Sequence, residues 1–214
     1  MRFNRNKRSL TLNLKEESGR QIFRDLAREA DVVVENFRPG LLDEMGLGYA
    51  RLSEENPRLI YASISGFGSL PGFAGPYNDR PAYDIVAQAM GGLMNTCGAA
   101  DGPPTWLGVA LGDIVSGMQA AYGIMLALYE RERTGRGQYL DVSMYDTMVG
   151  LAERSVTAYS LTGHVLQRGR EPYMAPWGPF ACRDGYVALI VATENDWAKF
   201  CQAIGRPDLI GHEG

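Results

Sequence analysis

The sequence predicts an α/β fold: a Rossmann-like open parallel sheet with flanking helices, followed by the start of a smaller α+β domain. Strand-like and helix-like segments alternate over residues 8–64, as they do in doubly wound proteins. The segment at residues 31–37 is a short β-branched run, which is typical of a buried parallel strand. Past residue 163 the alternation gives way to a loop rich in glycine, proline and aromatic residues, which indicates a change of domain.

The first five segments form a βαβαβ succession. Residues 8–14 alternate apolar and polar side chains, as a strand does, and residues 18–30 carry apolar side chains at helical spacing. The segments that follow are a strand at 31–37, a helix at 41–52 that is interrupted around Gly46 and Gly48, and a strand at 59–64. Ligands of such sheets bind beyond the carboxyl ends of the strands, which here means near Asn36, Phe37 and residues 65–68.

The rest of the chain is predicted from the same patterns. The expected elements are a helix at 83–94, a long helix opening at Asp113, a strand at 138–143, a helix at 146–162, a strand at 186–192 and a helix at 195–204. The long helix is expected to be buried, because its apolar run is interrupted by polar residues and glycines and is too short to span a bilayer. We predict an incomplete large domain over residues 1–165 and the start of a small domain over residues 166–214.

Composition narrows the class of function. The net charge of −4 gives no reason to expect a nucleic-acid partner, and no membrane partner is expected. Three cysteines at unrelated spacings are typical of reduced thiols in a cytoplasmic protein. With only two histidines, a zinc site or a Ser-His-Asp triad is hard to build, which favours carboxylate chemistry. Since the chain opens on what resembles an internal strand and stops just after a helix, we expect it to be part of a longer protein.

Asp113 has two competing interpretations. It lies between apolar residues and a long apolar helix. As an N-cap, its carboxylate would accept a free backbone N–H of the first helical turn. As a nucleophile, it would need the ionised state that a helix N-terminus favours, and room for a substrate, which Gly112 and Gly117 would leave beside it. The pattern alone leaves both interpretations open.

Five other positions are candidates for chemistry, each with a plainer alternative. Tyr83 and Asp84 open a helix, where Asp84 can simply complement the helix dipole and Tyr83 can be a half-buried phenol. Lys15 ends a strand pattern and can be a solvated charge. Asn36 and Phe37 follow a strand, where they can hold a ligand base or form a turn. The glycines after the third predicted strand are misplaced for a dinucleotide-binding loop.

A set of short motifs occurs in a fixed order along nearly the whole chain. The motifs are NKRSL from residue 6, VENFRPG from 34, NPRLIY from 56, SGFG from 65, GPY from 75, RPAYD from 80, QAMGGLM from 88, DGPP from 101, GD from 112 and RTGRGQ from 133. In this order they resemble the class III (CaiB/BaiF-type) CoA transferases, a family that includes formyl-CoA and carnitine CoA transferases.

The resemblance implies that CoA passes from an acyl-CoA donor to a small carboxylic acid acceptor. Asp113 would attack the thioester to give an acyl–aspartyl mixed anhydride, and the CoA thiolate would stay bound while the acceptor exchanges in. The residues that would hold the CoA nucleotide are Leu12, Lys15, Asn36 and Phe37. The residues that would line the acyl end are Tyr83, Asp84 and Met144. Coenzyme A would act as a substrate, with no permanently bound cofactor and no metal.

The same family contains two alternatives to transfer. Its α-methylacyl-CoA racemases pair a histidine with the aspartate, and that histidine falls where this chain has Tyr83. A phenol with an ordinary pKa of about 10 is a poor base at neutral pH, so transfer is favoured. The second alternative is an inactive CoA-binding fragment, since the chain lacks the family's first βα unit and closing C-terminal portion. Glu44 also stands where some relatives carry an arginine near the CoA phosphates. Family members are interlocked homodimers, so the whole protein is expected to be one.

Overall fold

A three-stranded parallel sheet lies at the centre of the chain, in a computed structural model that describes residues 4–73, 75–169 and 176–211. Its strands, in spatial order, are β1 (Val32–Glu35), β2 (Ile60–Ser65) and β3 (Tyr139–Ser143). In the register, Val32 lies beside Ile60, and Tyr61 beside Tyr139. All three carboxyl ends therefore lie at one edge of the sheet, which confirms the predicted α/β class.

Nine α-helices are found in the described part of the chain. They are α1 (Glu17–Glu29), α2 (Leu41–Glu44), α3 (Tyr49–Glu55), α4 (Asp84–Met90), α5 (Leu93–Thr96), α6 (Leu111–Thr134), α7 (Met144–Leu151), α8 (Glu153–Thr162) and α9 (Glu194–Ala203). Three segments predicted as helical are each split in two, and for residues 41–52 this confirms the interruption predicted around Gly46 and Gly48. Gly46 and Gly92, at φ of 70° and 87°, end the right-handed helical path in two of them. The third break lies at Ala152.

The helices pack on both faces of the sheet. Tyr61 of β2 belongs to a core cluster formed with α1, α2 and α3, whereas Ile64 packs against a cluster built from α4, α5 and α7. The two side chains are three positions apart on one strand and so point to opposite faces. Five of the six residues of β2 are buried. The strand that the sequence predicted to be buried is β1, and it has no buried residue, because it lies at an edge of the sheet among the described residues.

The strand predicted at residues 8–14 is wrong. The structure has no regular element there, and the segment instead packs against the start of α1. The guanidinium of Arg20 donates to the carbonyl oxygens of Leu14 and Lys15, at 3.3 Å and 3.1 Å. Gly19 is required at this contact, since a Cβ there would lie 2.2 Å from the carbonyl oxygen of Asn13. A strand also needs a neighbouring backbone to pair with, which alternation of side chains cannot supply.

Helix α6 is not the buried helix that the sequence predicts. Its buried residues are Gly112, Ser116, Ala120, Ala127 and Arg131, which share one narrow face. The large apolar side chains of Met118, Tyr122 and Tyr129 are exposed. By length and composition alone this 24-residue helix is apolar enough to cross a membrane, a test that core helices of soluble proteins also pass.

The last part of the chain forms an antiparallel hairpin and a helix. β4 (Trp177–Cys182) pairs with β5 (Gly185–Ile190), and α9 follows. The strand predicted at 186–192 and the helix predicted at 195–204 are confirmed within two residues at each end. The sequence predicts a loop at residues 169–180, because glycine, proline and aromatic residues dominate there. The structure instead has β4 begin within that segment, at Trp177. Residues 170–175 lie outside the described part of the chain. The domain boundary at residue 165 stays a prediction.

Candidate active site

The carboxyl edge of the sheet gathers several of the predicted site residues. Asn36 and Phe37 follow β1 directly, and Met144 follows β3 directly as the first residue of α7. Between them lies the β2 loop, residues 66–72, which connects to α7 through a hydrogen bond of 2.9 Å from the Tyr145 N–H to the carbonyl oxygen of Gly66. Strand ends in a doubly wound sheet are where ligands bind, so the fold brings these positions to a suitable place.

The β2 loop is held in place by Asp141 of β3. Its carboxylate accepts the backbone N–H of Ser69, at 2.9 Å and 3.0 Å to its two oxygens, and the N–H of Leu70 at 2.9 Å. Sequence reasoning missed this contact. The signal available was an acidic residue in the middle of a predicted buried strand, since a carboxylate there must be partnered.

Asp113 does not cap helix α6. The helix begins at Leu111 with Ala110 as its N-cap, so that Asp113 is the third helical residue, with an exposed side chain. The cap that the sequence assigned to Asp113 comes instead from Asp84, whose Oδ1 accepts the N–H of Gly112 at 2.7 Å. A carboxylate from α4 therefore satisfies one of the four free N–H groups at the start of α6. Asp113 is left available for other contacts.

The carboxylate of Asp84 is the centre of a small hydrogen-bond network. Its Oδ2 accepts from the side-chain amide of Gln88 at 2.7 Å and from the indole N–H of Trp106 at 3.4 Å. The same amide nitrogen of Gln88 donates to the carbonyl oxygen of Val109 at 2.9 Å. Asp84 is half-buried at the first position of α4. Its carboxylate does more than complement the dipole of α4, because it also accepts a hydrogen bond from the start of α6.

Gly112 has a different role from the one its sequence position suggests. The sequence predicted that Gly112 would leave room for a substrate beside Asp113, but Asp84 lies against it and accepts its N–H. Gly112 is buried, and a Cβ there would lie 3.0 Å from Oδ1 of Asp84. The absence of a side chain therefore lets α4 and α6 approach each other. Open space remains beside Gly117.

The electrostatics of Asp113 also differ from the expectation. Partial burial raises the pKa of its carboxyl, and the negative charge of Asp84 raises that pKa further. The sequence predicted that the helix N-terminus would hold Asp113 ionised. The raised pKa of Asp113 is the opposite of that expectation, and burial contributes more to it than the charge of Asp84 does.

The remaining predicted site residues have distinct surroundings. Tyr83 is 83% exposed, so the prediction of a half-buried phenol is wrong. Met144 is 8% exposed and packs in the cluster that also contains Met148, next to Leu111 at the start of α6. The side chain of Met144 is therefore part of the core that packs against the first turn of α6, the turn that carries Asp113.

The residues implied to hold the CoA nucleotide are mostly exposed. Asn36, Phe37 and Lys15 are exposed, and Leu12 is half-buried. The N–H of Phe37 donates to the carboxylate of Glu35 at 2.9 Å, which fixes the turn after β1. Glu44 is paired with Arg38 at 2.6 Å, so an arginine is present in this region, although not at position 44.

A separate cavity of about 1070 Å³ lies between the junction of α7 and α8 and the β4–α9 unit. Aromatic side chains make up much of its lining: Trp177, Phe180, Trp197 and Phe200. Neither Asp84 nor Asp113 is among the described residues that line it. The carboxylate pair formed by Asp84 and Asp113 is therefore separate from this cavity.

A doubly wound α/β sheet with polar groups gathered beside its carboxyl edge defines the class of α/β proteins that bind their ligands at that edge. The sequence profile of CoA-transferase family III matches residues 1–213, and the chain belongs to that family. This confirms the resemblance inferred from the ordered motifs.

Named relatives and solved structures agree with this assignment. The chain is 44% identical over 208 residues to the succinyl-CoA:mesaconate CoA-transferase of Haloarcula marismortui, covering 96% of this chain and 52% of that protein. It is 44% identical over 209 residues to the acetyl-CoA:oxalate CoA-transferase of Acetobacter aceti, covering 96% and 53%. A CaiB/BaiF family protein from Brucella suis superimposes with a TM-score of 0.81 at 38% identity, covering 97% of this chain and 54% of that one. The chain thus spans about half the length of the relatives it matches.

Proposed function

We propose that this chain carries the nucleophile of a CoA transferase that moves CoA from an acyl-CoA to a carboxylic acid, and that the nucleophile is Asp113. The observation that carries the proposal is the position of Asp113: exposed in the first turn of α6, beside a second carboxylate that has taken over the capping of that helix. The names of the relatives support acyl-CoA transfer as the reaction.

The proposed chemistry has three balanced steps. A carboxylate oxygen of Asp113 attacks the thioester carbon, the C–S bond breaks, and CoA leaves as a thiolate from an acyl–aspartyl anhydride. The acceptor carboxylate then attacks the aspartyl carbonyl carbon, and the donor acid leaves as its carboxylate. Finally the thiolate attacks the acceptor-derived carbonyl carbon, which releases the new acyl-CoA and restores the Asp113 carboxylate.

The surroundings of Asp113 suit the first step. Its raised pKa means that the folded protein stabilises the charged carboxylate less than water does, so the ionised form is the more reactive once it forms. Leu12, Lys15, Asn36 and Phe37 are proposed to hold the CoA nucleotide, and Tyr83, Asp84 and Met144 to border the acyl group. Lys15 is exposed and free to place its charge near a phosphate.

Trapping with hydroxylamine tests the proposal. The chain is incubated in turn with succinyl-CoA, acetyl-CoA and formyl-CoA, the thioesters in the names of its relatives, and then treated with hydroxylamine. An activated Asp113 is expected to become a hydroxamate, which peptide mass spectrometry locates. Asp113→Asn should abolish the adduct. Asp146→Asn, at the same third position of helix α7, should leave it unchanged.

The alternatives give different results in the same samples. A 2-methylacyl-CoA racemase would exchange the α-proton of its substrate for deuterium from heavy water and form no hydroxamate. An inactive CoA-binding fragment would bind CoA and yield neither product. An unmodified Asp113 peptide with all three thioesters contradicts the proposed function of the chain.

We also propose that the whole protein is a homodimer located in the cytoplasm. The side chains of Met118, Tyr122 and Tyr129 on α6 are large, apolar and exposed, which supports the proposal that a second subunit packs against this helix. Light scattering after size-exclusion chromatography measures the mass, and a strictly monomeric whole protein contradicts this part of the proposal.

A further inference from the structure

Gln88 is a fully buried polar side chain next to the carboxylate of Asp84. Its exposed fraction is 0%, and it lies in the middle of α4, one turn after Asp84. A buried amide must find hydrogen-bond partners, and Gln88 finds two through one nitrogen. These are Oδ2 of Asp84 at 2.7 Å and the carbonyl oxygen of Val109 at 2.9 Å.

The amide of Gln88 has one permitted orientation. Both partners of Nε2 are acceptors, so a flipped amide would place its oxygen against a carboxylate and a carbonyl at once. The oxygen Oε1 is buried and has no hydrogen-bond partner among the described residues. The side chain therefore donates only, and it leaves one acceptor unsatisfied to do so.

The contacts of Gln88 join three segments that meet at the Asp113 turn. Val109 lies just before α6, and Asp84 holds the N–H of Gly112, the residue directly before Asp113. The Asp84 carboxylate reaches Gly112 through one oxygen while Gln88 holds the other oxygen. Removing the amide would leave Oδ2 of Asp84 with only the longer hydrogen bond from the indole of Trp106, at 3.4 Å, and would loosen the hold of Asp84 on the first turn of α6.

We propose that Gln88 is a positioning residue for the transfer reaction: its amide holds Asp84 on the N–H of Gly112 and so fixes the backbone that carries Asp113. This role rests on the proposed function, since it concerns the placement of the nucleophile. It adds a residue on α4 that the family motifs do not assign to either the CoA or the acyl end. A small displacement of a reacting group can cost about 100-fold in rate.

The test substitutes Gln88 by methionine, which has nearly the same shape and no donor. Gln119→Met is the matched control, because Gln119 lies on α6 and accepts a hydrogen bond of 2.7 Å from Thr147 with no link to Asp84. Gln88→Glu keeps the volume, sets a second negative charge against Asp84 and is expected to give the same losses. The Gln88→Glu variant takes the place of Gln88→Met in the test if the methionine variant does not fold.

Two measurements are made on each variant. Hydrogen exchange of the Gly112 N–H by NMR reports the Asp84 contact directly, because that N–H has no partner inside the helix. Gln88→Met should speed its exchange about 10-fold or more, whereas Gln119→Met should leave it unchanged. The rate of Asp113 adduct formation should fall about 10- to 100-fold at saturating acyl-CoA, with the half-saturating concentration unchanged.

Each outcome decides the inference. Continued protection of Gly112 in Gln88→Met would show that Asp84 stays on this N–H without the Gln88 amide, which overturns the inference, and lost protection with an unchanged adduct rate overturns the positioning role. A change in the half-saturating concentration alone would assign Gln88 to binding and overturns the inference as well. A wild-type chain that forms no adduct refutes the proposed function and with it the positioning role, while the exchange of Gly112 separately decides whether the contact exists.

Discussion

Asp84→Asn is the substitution that tests the carboxylate network most directly. The native carboxylate accepts two hydrogen bonds of 2.7 Å, from the N–H of Gly112 and the amide of Gln88. An asparagine can keep only one of them, because its second terminal atom is itself a donor. Turning the Gln88 amide to match would set its oxygen against the carbonyl oxygen of Val109. One hydrogen bond is therefore lost in every arrangement.

The expected cost follows from these contacts. A hydrogen bond to a charged group contributes about 1.5–3 kcal/mol, and a neutral one about 0.5–1.5 kcal/mol. The variant loses one charged bond and weakens another, while the repulsion between Asp84 and Asp113 is relieved. Because Asp84 is only half-buried, we expect a net destabilisation of about 2 kcal/mol. For a chain of this size that lowers Tm by about 4–8 °C.

Urea and thermal unfolding followed by circular dichroism measure this change. Asp146→Asn is the control, since it makes the same substitution at an exposed first-turn position of α7, and it should cost below about 1 kcal/mol. If Asp84→Asn unfolds at the same urea concentration and temperature as the wild type, the Asp84 carboxylate does not hold the start of α6, and the account of the site given above is refuted.

Further substitutions test the charge of Asp113 and the packing of two glycines. Because the pKa of Asp113 is raised on folding, its ionisation destabilises the protein above the unfolded-state pKa. Near pH 3 the Asp113 carboxyl is protonated in both the folded and the unfolded protein, so the unfolding temperature of Asp113→Asn should match that of the wild type. At pH 7 it should be higher than that of the wild type. A lower value at pH 7 contradicts the raised pKa of Asp113. Gly137→Ala should destabilise by about 3 kcal/mol, since the new Cβ would lie 2.0 Å from the backbone oxygen of Leu59. Gly117→Ala has open space and should stabilise α6 by about 0.5–1 kcal/mol; equal urea midpoints for the two glycine variants would refute this comparison.

Much of the fold follows from local patterns in the sequence. The β-branched run before Asn36 and the apolar run before residue 65 predicted two parallel strands, and both are confirmed. Long apolar runs bounded by glycines also located α6 and β3. Residues 8–14 misled the same reasoning, because alternation describes which side chains face a core and says nothing of whether a neighbouring strand is present.

The site was predicted in part. The ordered motifs led to the family, and the resemblance implied Asp113 as the nucleophile and Tyr83 and Asp84 as residues near the acyl end, but the pairing of Asp84 with Asp113 was not predicted. The burial of α6 could not be predicted, because its apolar residues surround the helix and only packing decides which of them are covered. The role of Asp141 was missed for a related reason: its partners are backbone groups of a loop about 70 residues earlier in the chain.

The sequence by itself determined the α/β class, the family and the identity of Asp113 as the residue of interest. Only the tertiary structure decided what Asp113 does at the helix end. A cap is normally a short-range interaction, and from the sequence Asp113 is the obvious residue to make it. The capping carboxylate instead comes from Asp84, which lies 28 positions before Gly112 in the chain. It can reach this N–H because α4 packs against the start of α6 at Gly112. That contact frees Asp113 and raises its pKa, and neither effect is encoded in the residues next to it.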